Sequence, residues 1–268
     1  MLVQLAGIFA IVCYLLACGL LGFALAKKRP PSKIWILSLG SLALPAHGYH
    51  VLEQVYSSHG IDLGFFNILS LVGWITACIH IGVNSYRPLI VGVLFAYPTA
   101  ALGLLSSILF HAPYQALTNL PRGAEGHIIL SIFAYSVLFM AGLHALLLVI
   151  QNKSLKHRSK SRTILTIMPP LQTMESVLFD FIAVGFGLLS LAIASGFMSL
   201  DNMFAQHVVH KTILTLLAWT IFGTLLLGHY VYGWRGQRAI RFTLAGFLVL
   251  IFGFYGTKVV LELVLQKV

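Results

Sequence analysis

The chain has 268 residues, of which 59% are apolar and 9% charged. Soluble domains carry roughly 25% charged residues, so a water-soluble enzyme is excluded, as are a disordered chain and a disulfide-stapled one. Lys and Arg outnumber Asp and Glu by 17 to 7, an excess that in so apolar a chain points to loops retained on the cytoplasmic side of a membrane and not to nucleic acid.

The apolar residues form continuous runs of about twenty, the length of helix that crosses a bilayer core. Outer-membrane barrels alternate in hydrophobicity, and these runs do not. The fold class expected is an all-α polytopic transmembrane bundle, one integral membrane domain over residues 1–268. In chain order, spans are predicted at Leu2–Ala26, Ile34–Val51, Leu63–Val83, Leu89–Phe110, His127–Ile150, Val177–Met198, His207–Tyr232 and Ile240–Leu265. Thr163–Glu175, with Pro169-Pro170, reads as an interfacial or linker stretch. The first run lacks a basic leader and a cleavage site and is expected to be a retained helix. Cys13, Cys18 and Cys78 lie inside apolar runs and read as small core residues.

The loops after the first, third, fifth and seventh spans hold Lys27, Lys28, Arg29, Lys33, Arg87, Lys153, Lys156, Arg158, Lys160, Arg162, Arg235, Arg238 and Arg241, thirteen of the 17 basic residues. This asymmetry predicts cytoplasmic basic loops, with both termini on the outer, periplasmic side. Arg235, Arg238 and Arg241 suit contact with anionic lipid.

Eleven histidines stand in this apolar chain. On the predicted topology His47, His50, His59, His111, His127, His207 and His210 fall near the outer face. His80, His144 and His229 fall toward the inner ends of their helices, and His157 lies in a basic loop. His127 and His144 are 17 residues apart and His210 and His229 19, intervals of roughly 25–30 Å along a helix. The two helices therefore each offer one imidazole near either surface, enough for two stacked sites. Zinc sites add carboxylates or thiolates at recognisable spacing, which are lacking here; haem needs only two imidazoles across an apolar cleft. A terminal histidine also serves as an interfacial anchor and a deep one as a hydrogen-bonded packing residue, so the pattern names candidates only. Lys258 and Glu262 stand one turn apart on the last span and can pair. Asp180 and Glu53 are lone acids near helix ends. No nucleophile–base arrangement or phosphate loop is present, so the chain is not expected to be an enzyme.

At its fifth and seventh spans the chain resembles a known family. GHIILSIFAYSVLFMAGLHALLLVIQ (Gly126–Gln151) is similar to the helix of CcsA-type cytochrome c assembly proteins that opens on an outer-face histidine. HKTILTLLAWTIFGTLLLGHYVYGWRGQRAIRFTLAGFLVLIFGFYGTKVV (His210–Val260) resembles their carboxy-terminal half, most specifically in Lys-Thr before Trp219, in Gly233-Trp234-Arg235-Gly236 and in Gly246-Phe247. Eight helices, and the Asp62–Ile75 text after the second, are similar to the smaller YpjD-like and HemX-like branch. The likeness is closest over residues 126–260. It implies haem handling in the bacterial inner membrane, haem b held by His127 and His210 near the outer face, and association with other cytochrome c assembly proteins. His47 or His50 would be substitute ligands, and an inner site would use His144 with His229 or His80. The loop Ser199–Gln206 lacks the tryptophan-rich segment of larger members, and the carboxy-terminal histidine of those members is replaced by Lys258 and Glu262. The readings outside this resemblance are a cofactor-free scaffold or regulator that binds a partner protein, and a small-molecule transporter.

Overall fold

The structure, a computed structural model, describes residues 1–57, 60–87, 89–110, 123–156, 165–199, 209–256 and 259. The described residues are helical almost throughout: α1 (Leu2–Ala26), α2 (Lys33–Val55), α3 (Phe65–Tyr86), α4 (Val93–Leu109, preceded by a 3-10 turn at Ile90–Gly92), α5 (Ala124–Lys156), α6 (Leu171–Ser199), α7 (Val209–Tyr232) and α8 (Gln237–Ile251, continued by a π turn over Phe252–Gly256). Strands β1 (Tyr56–Ser57) and β2 (Gly60–Ile61) pair antiparallel after α2.

Among the described residues, seven helices are long and apolar enough to cross a membrane. The remaining one, α2, is 23 residues, about 34 Å of helix, and is less apolar because it carries polar residues that face protein. His47 and His50 are buried, so the apolar surface it needs for lipid lies on its other side.

Two boundaries differ most from expectation. Helix α6 begins at Leu171, directly after Pro169-Pro170, so Leu171–Glu175 belongs to the span and not to a linker. Proline suits the start of a helix, where its missing N–H costs nothing. Helix α5 runs 33 residues, past Ile150 to Lys153 and Lys156, and Gln151 donates from Nε2 to the Pro169 carbonyl at 2.9 Å. The last span's expected extension to Leu265, with Lys258 and Glu262, lies outside the described residues. So do His59, His111, His157, His207 and most of the Ser199–Gln206 loop.

The prolines inside α2 and α4, Pro45 and Pro98, leave both helices continuous. Thr99 Oγ1 donates to the Phe95 and Ala96 carbonyls at 2.8 and 2.9 Å, the back-bonding to the preceding turn that satisfies a Thr hydroxyl inside a helix.

By packing, the chain forms two compact units, Met1–Ala116 with Val149–Leu171, and Leu117–Leu148 with Gln172–Val268. In the first, contacts run antiparallel between successive helices. Val3 and Tyr14 meet His50 and His47, Leu44 and His47 meet Trp74 and Ser70, and Leu69 and Gly73 meet Gly103 and Ala100. Helices α3 and α4 lie so close that a β-carbon on Gly73 would come 2.9 Å from Ala100 Cα. Small residues at such crossings let backbones touch where no hydrophobic drive separates helix from lipid.

In the second unit α5 and α6 are antiparallel, since His127 meets Ala192 and His144 meets Phe181. Helices α6 and α7 are antiparallel too, since Phe179 meets His229 and Ser190 meets Trp219. Helices α5 and α7 therefore run parallel, tied by Tyr135 Oη and Thr215 Oγ1 at 3.1 Å.

Candidate functional site

This helix order places the imidazoles of the second unit in two groups. His127 opens α5 and His210 opens α7, so they share one end of the unit; His144 and His229 lie toward the other.

His127 is half-buried, and its Nδ1 lies 2.8 Å from the Ala192 carbonyl and 3.3 Å from Ser195 Oγ. A carbonyl only accepts, so Nδ1 carries the proton and Nε2 keeps its lone pair. Ser195 Oγ itself donates to the Ala192 carbonyl at 2.9 Å, which holds the acceptor in place. A ring tethered through one nitrogen to backbone, with the other left as a donor of electrons, is the usual state of a metal-ligating histidine. His210 is exposed.

At the other end His229 has the same arrangement. Its Nδ1 donates to the Trp234 carbonyl at 2.9 Å, which again leaves Nε2 as the acceptor, and its ring stacks on Phe179 with centroids 3.6 Å apart at 17°. The Trp234 carbonyl is presented by the end of α7. Gly233, at φ 66°, takes the left-handed conformation that ends helices, and its N–H bonds the His229 carbonyl at 3.1 Å. Trp234 then folds back over Gly228, where any β-carbon would overlap the indole.

His144 is buried against Phe181, ring centroids 5.2 Å apart, and neither of its nitrogens has a hydrogen-bond partner among the described residues. Such a group normally costs about 1–3 kcal/mol, and a buried orphan calls for a ligand or a functional reason. His144 and His229 contact α6 at nearly the same level. Phe181 and Phe179 are two residues apart, however, and so point to opposite sides of that helix. The two rings thus approach α6 from different faces.

The other three candidates belong to the first unit. His47 has both nitrogens engaged, Nδ1 with Tyr14 Oη at 3.3 Å and Nε2 with Ser70 Oγ at 3.1 Å. His50 is engaged through Nδ1 with the Val3 carbonyl and through Nε2 with Ser107 Oγ, both at 3.2 Å. His80 Nε2 accepts from Asn84 Nδ2 at 3.0 Å. For His47 or His50 to bind iron, an existing hydrogen bond must break. Among the described residues no group of three His, Cys, Asp or Glu side chains could hold a metal ion. Glu53 is exposed near the end of α2, whereas Asp180, expected near a helix end, is exposed as the tenth residue of α6.

Sequence reasoning missed the partners that set the tautomers: the Ala192 carbonyl, Ser195 and the Trp234 carbonyl. A backbone acceptor has no side-chain signature, although Gly233 just after the helix was a visible sign that the chain turns back on His229.

A polytopic helical membrane protein whose parallel helices carry tethered, electron-donating imidazoles is the class these features define. The chain belongs to the cytochrome c assembly protein family, whose model matches residues 35–265. It is 28% identical over 263 residues to the inner membrane protein YpjD of Escherichia coli K12, which covers 96% of this chain and 98% of that protein; the same holds for YpjD of strain O157:H7. It is 31% identical over 172 residues to a 28.8 kDa protein of the nifR3-like 5′ region of Azospirillum brasilense, 61% of this chain and 62% of that one. No solved structure matches the chain.

Proposed function

We propose that this chain is a multi-pass inner-membrane protein that holds haem b for cytochrome c assembly and is itself non-catalytic. The family match supports a haem-related role. The observation that carries the ligand assignment is the His127 tether, which fixes Nδ1 as the protonated nitrogen and leaves Nε2 for iron.

His127 and His210, at the same end of the parallel helices α5 and α7, would hold the haem. When bound, haem b would supply an iron held by imidazole alone, which suits keeping the cofactor and not reacting it with oxygen. The chain's own residues do the rest: Ala192 and Ser195 orient the His127 ring, and the apolar faces of α5 to α7 exclude water. His144, with both nitrogens unpartnered among the described residues, and His229, tethered through Trp234, meet α6 on different faces and are not assigned to one iron. His47, His50 and His80 are occupied by hydrogen bonds and are left out of the assignment. The basic loops face the cytoplasm and both termini the periplasm, which puts His127 and His210 where other assembly proteins would meet the haem.

The test is the absorption spectrum of the detergent-purified chain after haem supplementation. The proposal expects a low-spin Soret band that the paired substitution His127→Ala, His210→Ala abolishes. A folded wild-type protein that takes up no haem would overturn it.

A further inference from the structure

The turn from α7 into α8 carries three exposed arginines, Arg235, Arg238 and Arg241, that the proposed function does not use. Among the described residues none of them forms an ion pair. Glu175 lies beside Gly236, its Oε1 3.8 Å from where a β-carbon would stand, and does not neutralise them.

The turn that presents these charges is fixed by its backbone. Gly233 and Gly236 take left-handed φ of 66° and 60°, and the Trp234 N–H donates to the Gly228 carbonyl at 3.0 Å. The indole is held over Gly228, with the Phe242 ring 5.3 Å away on α8 and the Tyr232 ring 6.4 Å away at the end of α7. The Arg238 guanidinium carbon stands 5.9 Å from the centroid of this indole, a cation–π distance, so its charge is placed before any ligand arrives. Arg241 follows three residues on and lies on the same side of the helix.

That side continues as an apolar stripe. Ala245, Leu248 and Phe252 follow at helical spacing and are all exposed, Leu248 by 52% and Phe252 by 63%. From Arg241 to Phe252 is 11 residues, about 16 Å of helix, or half the ~30 Å of a bilayer core and so the depth of one leaflet. Ala245, the smallest side chain of the stripe, lets a chain lie close to the backbone. Tyr230 and Tyr232, 72% and 75% exposed, stand beside the arginines, as tyrosines do at the level of lipid headgroups. An acidic protein surface would match the arginines but not the apolar stripe that runs on from them.

We infer that this side of α8 is a binding site for one anionic phospholipid. Its phosphate lies between Arg238 and Arg241, its headgroup against Trp234, and one acyl chain along Ala245, Leu248 and Phe252. Arg235, just outside the helix, adds to the positive field at the headgroup.

The experiment titrates the detergent-purified full chain with dioleoylphosphatidylglycerol and, separately, with dioleoylphosphatidylcholine, and counts bound lipid by native mass spectrometry. An arginine near an anionic headgroup is worth about fivefold in affinity, so two predict roughly 25-fold tighter binding of the first phosphatidylglycerol than of phosphatidylcholine. The paired substitution Arg238→Gln, Arg241→Gln is expected to remove that preference and leave phosphatidylcholine binding unchanged. Ala245→Trp keeps both charges, blocks the stripe, and is expected to weaken phosphatidylglycerol binding several-fold. Lys27→Gln, Lys28→Gln removes as much charge from the exposed end of α1 and is expected to keep the wild-type preference. Equal binding of the two lipids by wild type, a preference that survives the paired arginine change or Ala245→Trp, or one lost equally on the paired lysine change, would overturn the inference.

Discussion

Tyr14→Phe isolates one hydrogen bond deep in the first unit. The phenyl ring keeps its contact with Tyr97, so little packing is lost; what disappears is the hydroxyl 3.3 Å from His47 Nδ1. His47 is fully buried, so no water replaces it, and a buried polar atom left unpaired costs about 1–3 kcal/mol. For a chain of this size that is roughly 2–4 °C of midpoint per kcal/mol. In the Tyr14→Phe background, His47→Leu removes the stranded imidazole itself. The freed Ser70 hydroxyl can turn back to a carbonyl of its own helix. The second substitution is therefore expected to be much milder there than in wild type, with a coupling of about 1–3 kcal/mol. The assay is a double-mutant cycle by thermal unfolding of the full chain in detergent micelles. Additivity within about 0.5 kcal/mol, the behaviour of independent sites, would refute the idea that the Tyr14 hydroxyl satisfies His47.

His144→Leu removes two buried nitrogens that have no partner among the described residues, so the haem-free protein is expected to melt at or above the wild-type temperature. A clear loss of stability would show that the imidazole is already satisfied. Gly228→Ala drives a β-carbon into the Trp234 indole and displaces the carbonyl that His229 donates to. Overpacking alone costs about 1–3 kcal/mol, to be read from the same melts, and an unchanged midpoint would contradict the seat. Trp219→Phe deletes the 2.8 Å bond to Ser190 Oγ and is expected to cost about 0.5–1.5 kcal/mol; adding Ser190→Ala should cost little more.

The helices were readable because hydrocarbon demands long uninterrupted apolar runs, and the depth of each histidine follows from helix rise alone. The start of α6 was not readable in the same way. Pro169-Pro170 has the look of a break, while the structure uses it to start a helix. The candidate site was half legible. That His127 and His210 share an end, and His144 and His229 the other, follows from spacing. That His47 and His50 are saturated does not, because Tyr14 and Ser107 are 33 and 57 residues away in the chain, and periodicity says nothing of which helices adjoin. Free and tethered imidazoles look alike as letters; only neighbours distinguish them.

The haem assignment rests on the Nε2 lone pair of one ring, and chemical rescue tests it directly. His127→Gly leaves an imidazole-sized space beside the Ala192 carbonyl. The account predicts that this variant loses the low-spin haem spectrum and regains it when free imidazole is added to the purified protein. A His127→Gly protein whose haem spectrum matches wild type without added imidazole would contradict it.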